Sequence, residues 1–358
     1  NGRIELDIPE VEWQQHRYQK LEATASFFNG FAEIVLQSQD PSLYLNVDAK
    51  AALDKNWRPS QLIANGHIKR LSPAELGLSK QWGNTPYSLN RLALKVSPHP
   101  RGSHLTLQSD FADATALGIA DVKELQTVAE KWWKTLLKSQ KNSSQAPNHA
   151  EASPTLSNSE EKANVVLPSK TALAFNLHLK RTDFLQHMLK LDIAADQDMH
   201  AEGRLAADGS MLHFTADAPH LRFGTTEVRN VTVAARSVYS DFHMLIKALR
   251  PTKKADLQLE LQAHTDSGKL MTNLQWSELR NRHFYGTFSS ETHINALNFN
   301  KLKESCLRVN ILPTSLAVND TVWKIEPGSI ALKEGRLNIN NLSLSHDQQR
   351  LAISGEYA

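Results

Sequence analysis

Residues 319–358 read NDTVWKIEPGSIALKEGRLNINNLSLSHDQQRLAISGEYA, and the order of greasy and polar positions in this stretch decides the fold. Leu337 and Ile339 stand two apart, as do Leu342 and Leu344, and again Leu351 and Ile353, with polar or small residues between them. A period of two puts each pair on one side of an extended chain, the mark of half-buried strands. The interruptions Lys333-Glu334-Gly335 and His346-Asp347-Gln348-Gln349 have turn composition, so the strands are expected to pair as an antiparallel meander. Such a sheet has one apolar face, and no residue in the stretch is placed to do chemistry.

The same alternation recurs along the chain. It sets Leu92, Leu94 and Val96 on one face of a strand, and likewise Leu105 with Leu107, Val231 with Val233, Leu257 with Leu259 and Leu261, and Leu274 with Trp276. On this pattern about eighteen strands are expected. Helices are the exception. Residues 121–140, DVKELQTVAEKWWKTLLKSQ, carry Val122, Leu125, Val128, Ala129, Trp132, Trp133 and Leu136 at helical spacing, with Asp121 placed to cap the N-terminus. A second, shorter helix is expected at RTDFLQHMLK, with Phe184, Met188 and Leu191 on one side.

Between them, residues 138–169 are rich in Ser, Asn, Ala, Pro and charge and lack periodicity, so they bury too little apolar surface to offset the entropy of ordering. The chain therefore divides into an N-terminal β section, 1–137, this low-complexity insertion, and a C-terminal β section, 170–358. An internal echo links distant parts. In residues 223–237 Val228 is followed by Asn230, Val231 and Val233; in residues 334–348 Ile339 is followed by Asn341, Leu342 and Leu344. Echoes of this kind suit an elongated array in which each unit touches only its neighbours.

Composition narrows the function classes. Forty basic and 38 acidic residues leave a net charge of +2 without a concentrated Lys/Arg stripe, which argues against nucleic acid. Cys306 is the only cysteine, so there is no intrachain disulfide. No stretch approaches the roughly 20 apolar residues of a membrane-spanning helix. Because RIELDI opens and AISGEYA closes in mid-pattern, the chain reads as a segment of something longer, with any anchor outside it. The fifteen histidines are scattered, and phosphate-loop, dinucleotide and nucleophile-elbow motifs do not occur. The expectation is a non-enzyme without metal or cofactor.

A sheet with one apolar face must cover it with a second sheet, helices, closure or a ligand. Eighteen strands about 4.8 Å apart extend over roughly 85 Å, too far for one strong helix to cover. A long antiparallel sheet curled into a trough, mainly β with one or two short helices, fits both counts. Acyl chains suit such a surface, since each buried CH₂ contributes about 0.8 kcal/mol wherever it lies and needs no directional partner. The eighteen alternating positions named above are thus the candidate groove lining. Sealed sandwich cores are the commoner fate of such residues. For the Trp132–Trp133 helix three roles are open: a plug in the groove mouth, a membrane contact, or a packing element.

The stretch VNDTVWKIEPGSIALKEGRLNINNLSLSHDQQRLAISGEYA also resembles the recurring segments of the TamB family of the bacterial translocation and assembly module, where V-N-D-T-x-W, P-x-x-I and G-R-x-x-[IV]-x-N-[FL] occur in that order. GHIKRLSPAELGLSK, LTLQSDFADATALG and APHLRFGTTEVRNVTVAARS are similar to other segments of that AsmA-like group. The insertion departs from the family pattern, and the family's N-terminal anchor and outer-membrane-associated domain are not in the sequence. The resemblance implies a β-taco groove in the periplasm of a Gram-negative bacterium. It further implies an inner-membrane anchor outside this chain, phospholipid carriage toward the outer membrane, and a BamA-type partner in outer-membrane protein assembly. Trp323 stands at a recurrent packing position of that pattern.

Overall fold

The computed structural model describes residues 2–13, 16–55, 59–76, 85–100, 102–118, 122–136, 171–182, 193–195, 198–253, 255–280, 283–296, 306–319, 321–333 and 336–357. They form a mainly β protein: one continuous curled antiparallel sheet of 23 strands and, among the described residues, a single helix. The first part of the sheet is β1 (Gly2–Trp13), β2 (His16–Phe28), β3 (Phe31–Asp40), β4 (Leu43–Leu53), β5 (Pro59–Leu71), β6 (Tyr87–His99), β7 (Gly102–Ser109) and β8 (Ala112–Gly118). Helix α1 (Val122–Leu136) follows. The sheet resumes with β9 (Thr171–Leu179), β10 (Ile193–Ala195), β11 (Met199–Ala206), β12 (Met211–Phe223), β13 (Thr226–Val238), β14 (Asp241–Arg250), β15 (Leu257–Asp266), β16 (Lys269–Glu278) and β17 (Phe284–Ala296). It ends with β18 (Cys306–Ile311), β19 (Thr314–Val318), β20 (Thr321–Glu326), β21 (Gly328–Lys333), β22 (Arg336–His346) and β23 (Gln349–Tyr357).

Nearly every strand pairs with its sequence neighbour, as tight turns dictate. The strand total exceeds the expected eighteen chiefly because three rows are split into collinear pieces. β10 and β11 both pair with β12, β18 and β19 with β17, and β20 and β21 with β22. Pro313 interrupts the second of these rows and Pro327 the third, and proline has no N–H for the ladder. β8 pairs directly with β9, Ala112 opposite Leu179 through Gly118 opposite Leu173. The sheet is therefore continuous across the insertion. That insertion and the expected helix at 183–191 lie outside the described residues, as does Asp121.

The two faces differ sharply. Directly opposed residues share a face, so the register traces an unbroken row from strand to strand. It runs Ile4, Ala25, Ile34, Ala49, Ala64, Leu94 and Leu107 through the first section. It continues Ala114, Leu177, Ala201, Ala216, Val233, Ile246, Leu261, Leu274 and Phe288. Every member is apolar. The other face carries cross-strand ion pairs such as Glu33 with Lys50 at 2.8 Å and Glu260 with Lys247 at 3.6 Å. Among the described residues no second sheet covers the apolar face, yet most of its side chains are half-buried. Curling supplies this shielding, by bringing side chains on the concave side closer together than pleating alone would.

Candidate functional site

The trough is built upward from small residues and rings. Gly203 of β11 lies between Phe175 of β9 and Phe214 of β12, whose rings are 6.4 Å apart. A Cβ on Gly203 would come within 2.5 Å of Phe175 Cε1, so the ring lies down over the glycine. Trp276 lies likewise over Gly286 toward Leu316 and stands 6.0 Å from Phe284. Trp323, opposite Leu316 and tilted against His346 at 5.6 Å, extends this aromatic floor. Flattened rings widen the trough while keeping its surface apolar.

All eighteen positions read from the sequence lie on this face. Leu92, Leu94 and Val96 on β6 oppose Ser109, Leu107 and Leu105 on β7. Val231 and Val233 on β13 oppose Ala218 and Ala216. Leu259 and Leu261 on β15 oppose Trp276 and Leu274 on β16, with Leu257 at the same strand's far end. Leu337 and Ile339 oppose Leu332 and Ile330, while Leu342 and Leu344 oppose Ile353 and Leu351. Leu257 is buried, at 8% exposure, Leu351 and Ile353 are exposed, and the rest are half-buried. Alternation within one strand revealed these positions. The alanines that continue the face, Ala114, Ala201 and Ala216, went unread because a methyl group carries little hydropathy signal.

Helix α1 lies on the same face, along one rim. Its Trp132 Nε1 donates to Ser237 Oγ at 2.7 Å, and the Trp132 ring meets Phe242 edge-on at 6.1 Å. Leu136, with 1% exposure, packs with Phe242 and Ala263 in a cluster joined by Trp133, Leu212, Ala235, Met244 and Leu270. Each of these sheet residues sits at the end of its strand nearest the turns at 207–210, 239–240 and 267–268. The helix is thus a packing element seated inside the trough wall.

At the rim of β2 to β6, Asp40 is buried and its carboxylate accepts the backbone N–H groups of Gln19 at 2.9 Å and Ser42 at 2.8 Å. Burial, with a smaller contribution from the Asp40 charge, raises the pKa of the nearby Tyr18. On the outer face, the hydrogen bond from Lys180 holds the Asp113 carboxyl below its usual range, and Lys269 and His293 do the same for Glu291. The charges therefore stand outside and the apolar strip inside. Among the described residues no three His, Cys, Asp or Glu side chains gather as a metal ion would need, and no helix is long and apolar enough to cross a membrane. The chain matches no family model, no curated protein and no solved structure.

Proposed function

We propose that this chain carries the acyl chains of phospholipid along its apolar face, as a segment of a bridge across a bacterial envelope. The observation that carries the reading is the register-traced row of sixteen apolar residues from Ile4 on β1 to Phe288 on β17, with no charge in it and, among the described residues, no second sheet over it. An apolar face that runs from strand to strand with, among the described residues, no second sheet over it is the kind of surface that marks a place where something binds. Acyl chains fit because they need only area, at about 0.8 kcal/mol per buried CH₂, and no fixed hydrogen-bonding partner. The resemblance of residues 318–358 to the TamB pattern supports the same reading. On this reading the protein works in the periplasm, anchored to the inner membrane by a segment outside this chain, with a BamA-type partner.

The test is mass spectrometry of organic extracts from protein purified without detergent, beside the Leu107→Asp variant. Phospholipid in the wild type and its loss from a Leu107→Asp protein with unchanged circular dichroism is the expected result. Lipid-free wild-type extracts would remove the basis of the proposal. Photocrosslinks from the groove to nascent β-barrel chains instead of lipid would favour a scaffold for outer-membrane protein assembly.

A further inference from the structure

We propose that the cleft where β4, β5 and β6 approach Pro41 is a phosphate-binding site on the outer face, with Lys69 and Arg70 as its cations.

A bulge brings the two cations together. Along a regular strand consecutive side chains point to opposite faces, which would put Lys69 and Arg70 on different sides of the sheet. On the β4 side, however, Leu45 opposes Ile68 and Tyr44 opposes Arg70, so Lys69 is an extra residue. On the β6 side Leu89 opposes Ile68 and Tyr87 opposes Leu71, which sets the single residue Ser88 against both. Two residues against one is a bulge, the device that re-aims side chains. Ile68 and Leu71 thereby stay together on the apolar face, where both pack with Tyr87, and the two cations between them turn outward. Lys69 Nζ stands 5.0 Å over the Tyr44 ring. Tyr44, Lys69, Arg70 and Ser88 line one cleft of about 440 Å³ together with Pro41 and Pro86.

The charges at the cleft do not cancel. Arg70 Nη2 donates to Glu75 Oε1 at 3.0 Å, and Glu75 also accepts the Ser42 hydroxyl. The Ser42 hydrogen bond, and after it the Arg70 charge, hold the Glu75 carboxyl below its usual range. Glu75 is thus the acid that answers Arg70, while among the described residues Lys69 makes no ion pair. The other nearby acid, Asp40, opposes Leu43 on the apolar face and accepts the Gln19 and Ser42 N–H groups. One positive charge is left over on the outer side. Arginine offers phosphate a planar fork of donors and lysine a point charge with three. The hydroxyls of Tyr44 and Ser88 flank the pair from the two adjoining strands. Donors from three strands suit the tetrahedral oxygens of phosphate better than a planar carboxylate. A free phosphate and a phospholipid headgroup offer this same chemistry.

The experiment titrates the 358-residue chain with inorganic phosphate by calorimetry. A second arm measures flotation with phosphatidylcholine vesicles, with and without phosphatidic acid. In whichever arm binds, Lys69→Gln should weaken binding about tenfold, the effect of losing one charge-assisted contact, and Lys69→Arg should restore most of it. Lys95→Gln removes the same charge from β6 outside the cleft, opposite Ile63 and Thr106, and should leave binding unchanged. Binding of inorganic phosphate supports the site with a soluble ligand, and binding confined to phosphatidic acid vesicles supports it with a headgroup. No binding in either arm, equal losses in Lys69→Gln and Lys95→Gln, or equally tight binding of acetate would overturn it. The cleft and the apolar row lie on opposite faces, so each of these results leaves the acyl-carrying reading standing.

Discussion

Asn230 and Asn341 occupy equivalent places in distant strands, and each has a left-handed backbone, φ 49 and φ 54. At each, the ladder register shifts, between Arg229 and Thr232 in one strand and between Ile339 and Leu342 in the other. These are β-bulges, and the repeated asparagine of the sequence echo is the residue that makes them. The reason is parity. In a regular strand Leu342 and Leu344 would point away from the face that holds Leu337 and Ile339, because one residue of slip moves a side chain to the opposite side. The bulge at Asn341 returns them to it. Asparagine tolerates the left-handed region that branched residues avoid, at a cost to the latter of roughly 1–2 kcal/mol. Asn341 also donates from Nδ2 to Pro327 O at 3.3 Å, and its carbonyl lies 2.7 Å from where a Gly328 Cβ would stand. The proline of P-x-x-I and the asparagine of G-R-x-x-[IV]-x-N-[FL] therefore meet across two strands. Asn341→Val should lower stability by about 1–2 kcal/mol and Asn341→Gly should change it little, read as shifts in urea midpoint at constant slope. Equal stability of the valine variant would show that the bulge is not maintained by this residue's conformational tolerance.

At the scale of elements, the strands were legible because each carries its own period-two signal, and α1 because its apolar stripe is helical. The joins were not. Two of the three split rows depend on Pro313 and Pro327 ending hydrogen-bonded ladders, and alternation on either side of a proline looks the same whether or not one strand continues. The face through β8 and β11 was hidden in Ala114 and Ala201, which oppose Leu107, Leu177 and Ala216 across the ladders and carry little hydropathy signal of their own. The seat of α1 was out of reach, since its defining contact, Trp132 to Ser237, spans 105 residues and an amphipathic stripe does not say which strands it meets. The outer face, by contrast, has a consequence for pH. Asp113, held low by Lys180, and Glu291, held low by Lys269, have folded pKa values beneath their unfolded ones. Their stabilisation is complete above the ordinary carboxylate range of about 4 and is lost as pH falls through the folded values. The melting temperature should be level above about pH 5, decline below it, and decline less steeply in Glu291→Gln. An identical acid limb in that variant would show that the Lys269–Glu291 pair does not couple protonation to folding.

Across the whole molecule, two properties of a one-dimensional array act together. Each strand is hydrogen-bonded only to its neighbours in the sheet, so a substitution disturbs stability locally and the remaining sheet persists. On the proposed acyl-carrying reading the apolar row, in contrast, works only as a series, because a chain sliding along it from β1 toward β17 would pass every row of strands. A carboxylate in the row faces the passing chain with a charge whose desolvation costs several kcal/mol, and one such barrier limits the whole path. Leu94→Asp and Leu261→Asp stand in different sections of the sheet, on β6 and β15, yet in the same row. With the protein's two ends tethered to donor and acceptor vesicles, either variant alone should reduce labelled-phospholipid transfer to nearly the same residual rate, and the double variant should fall little further. Independent binding patches predict the opposite, since each would hold its own share of lipid and the two losses would compound. Compounded losses in the double variant, with both single variants folded, would mean that the face is a set of separate sites and not a conduit.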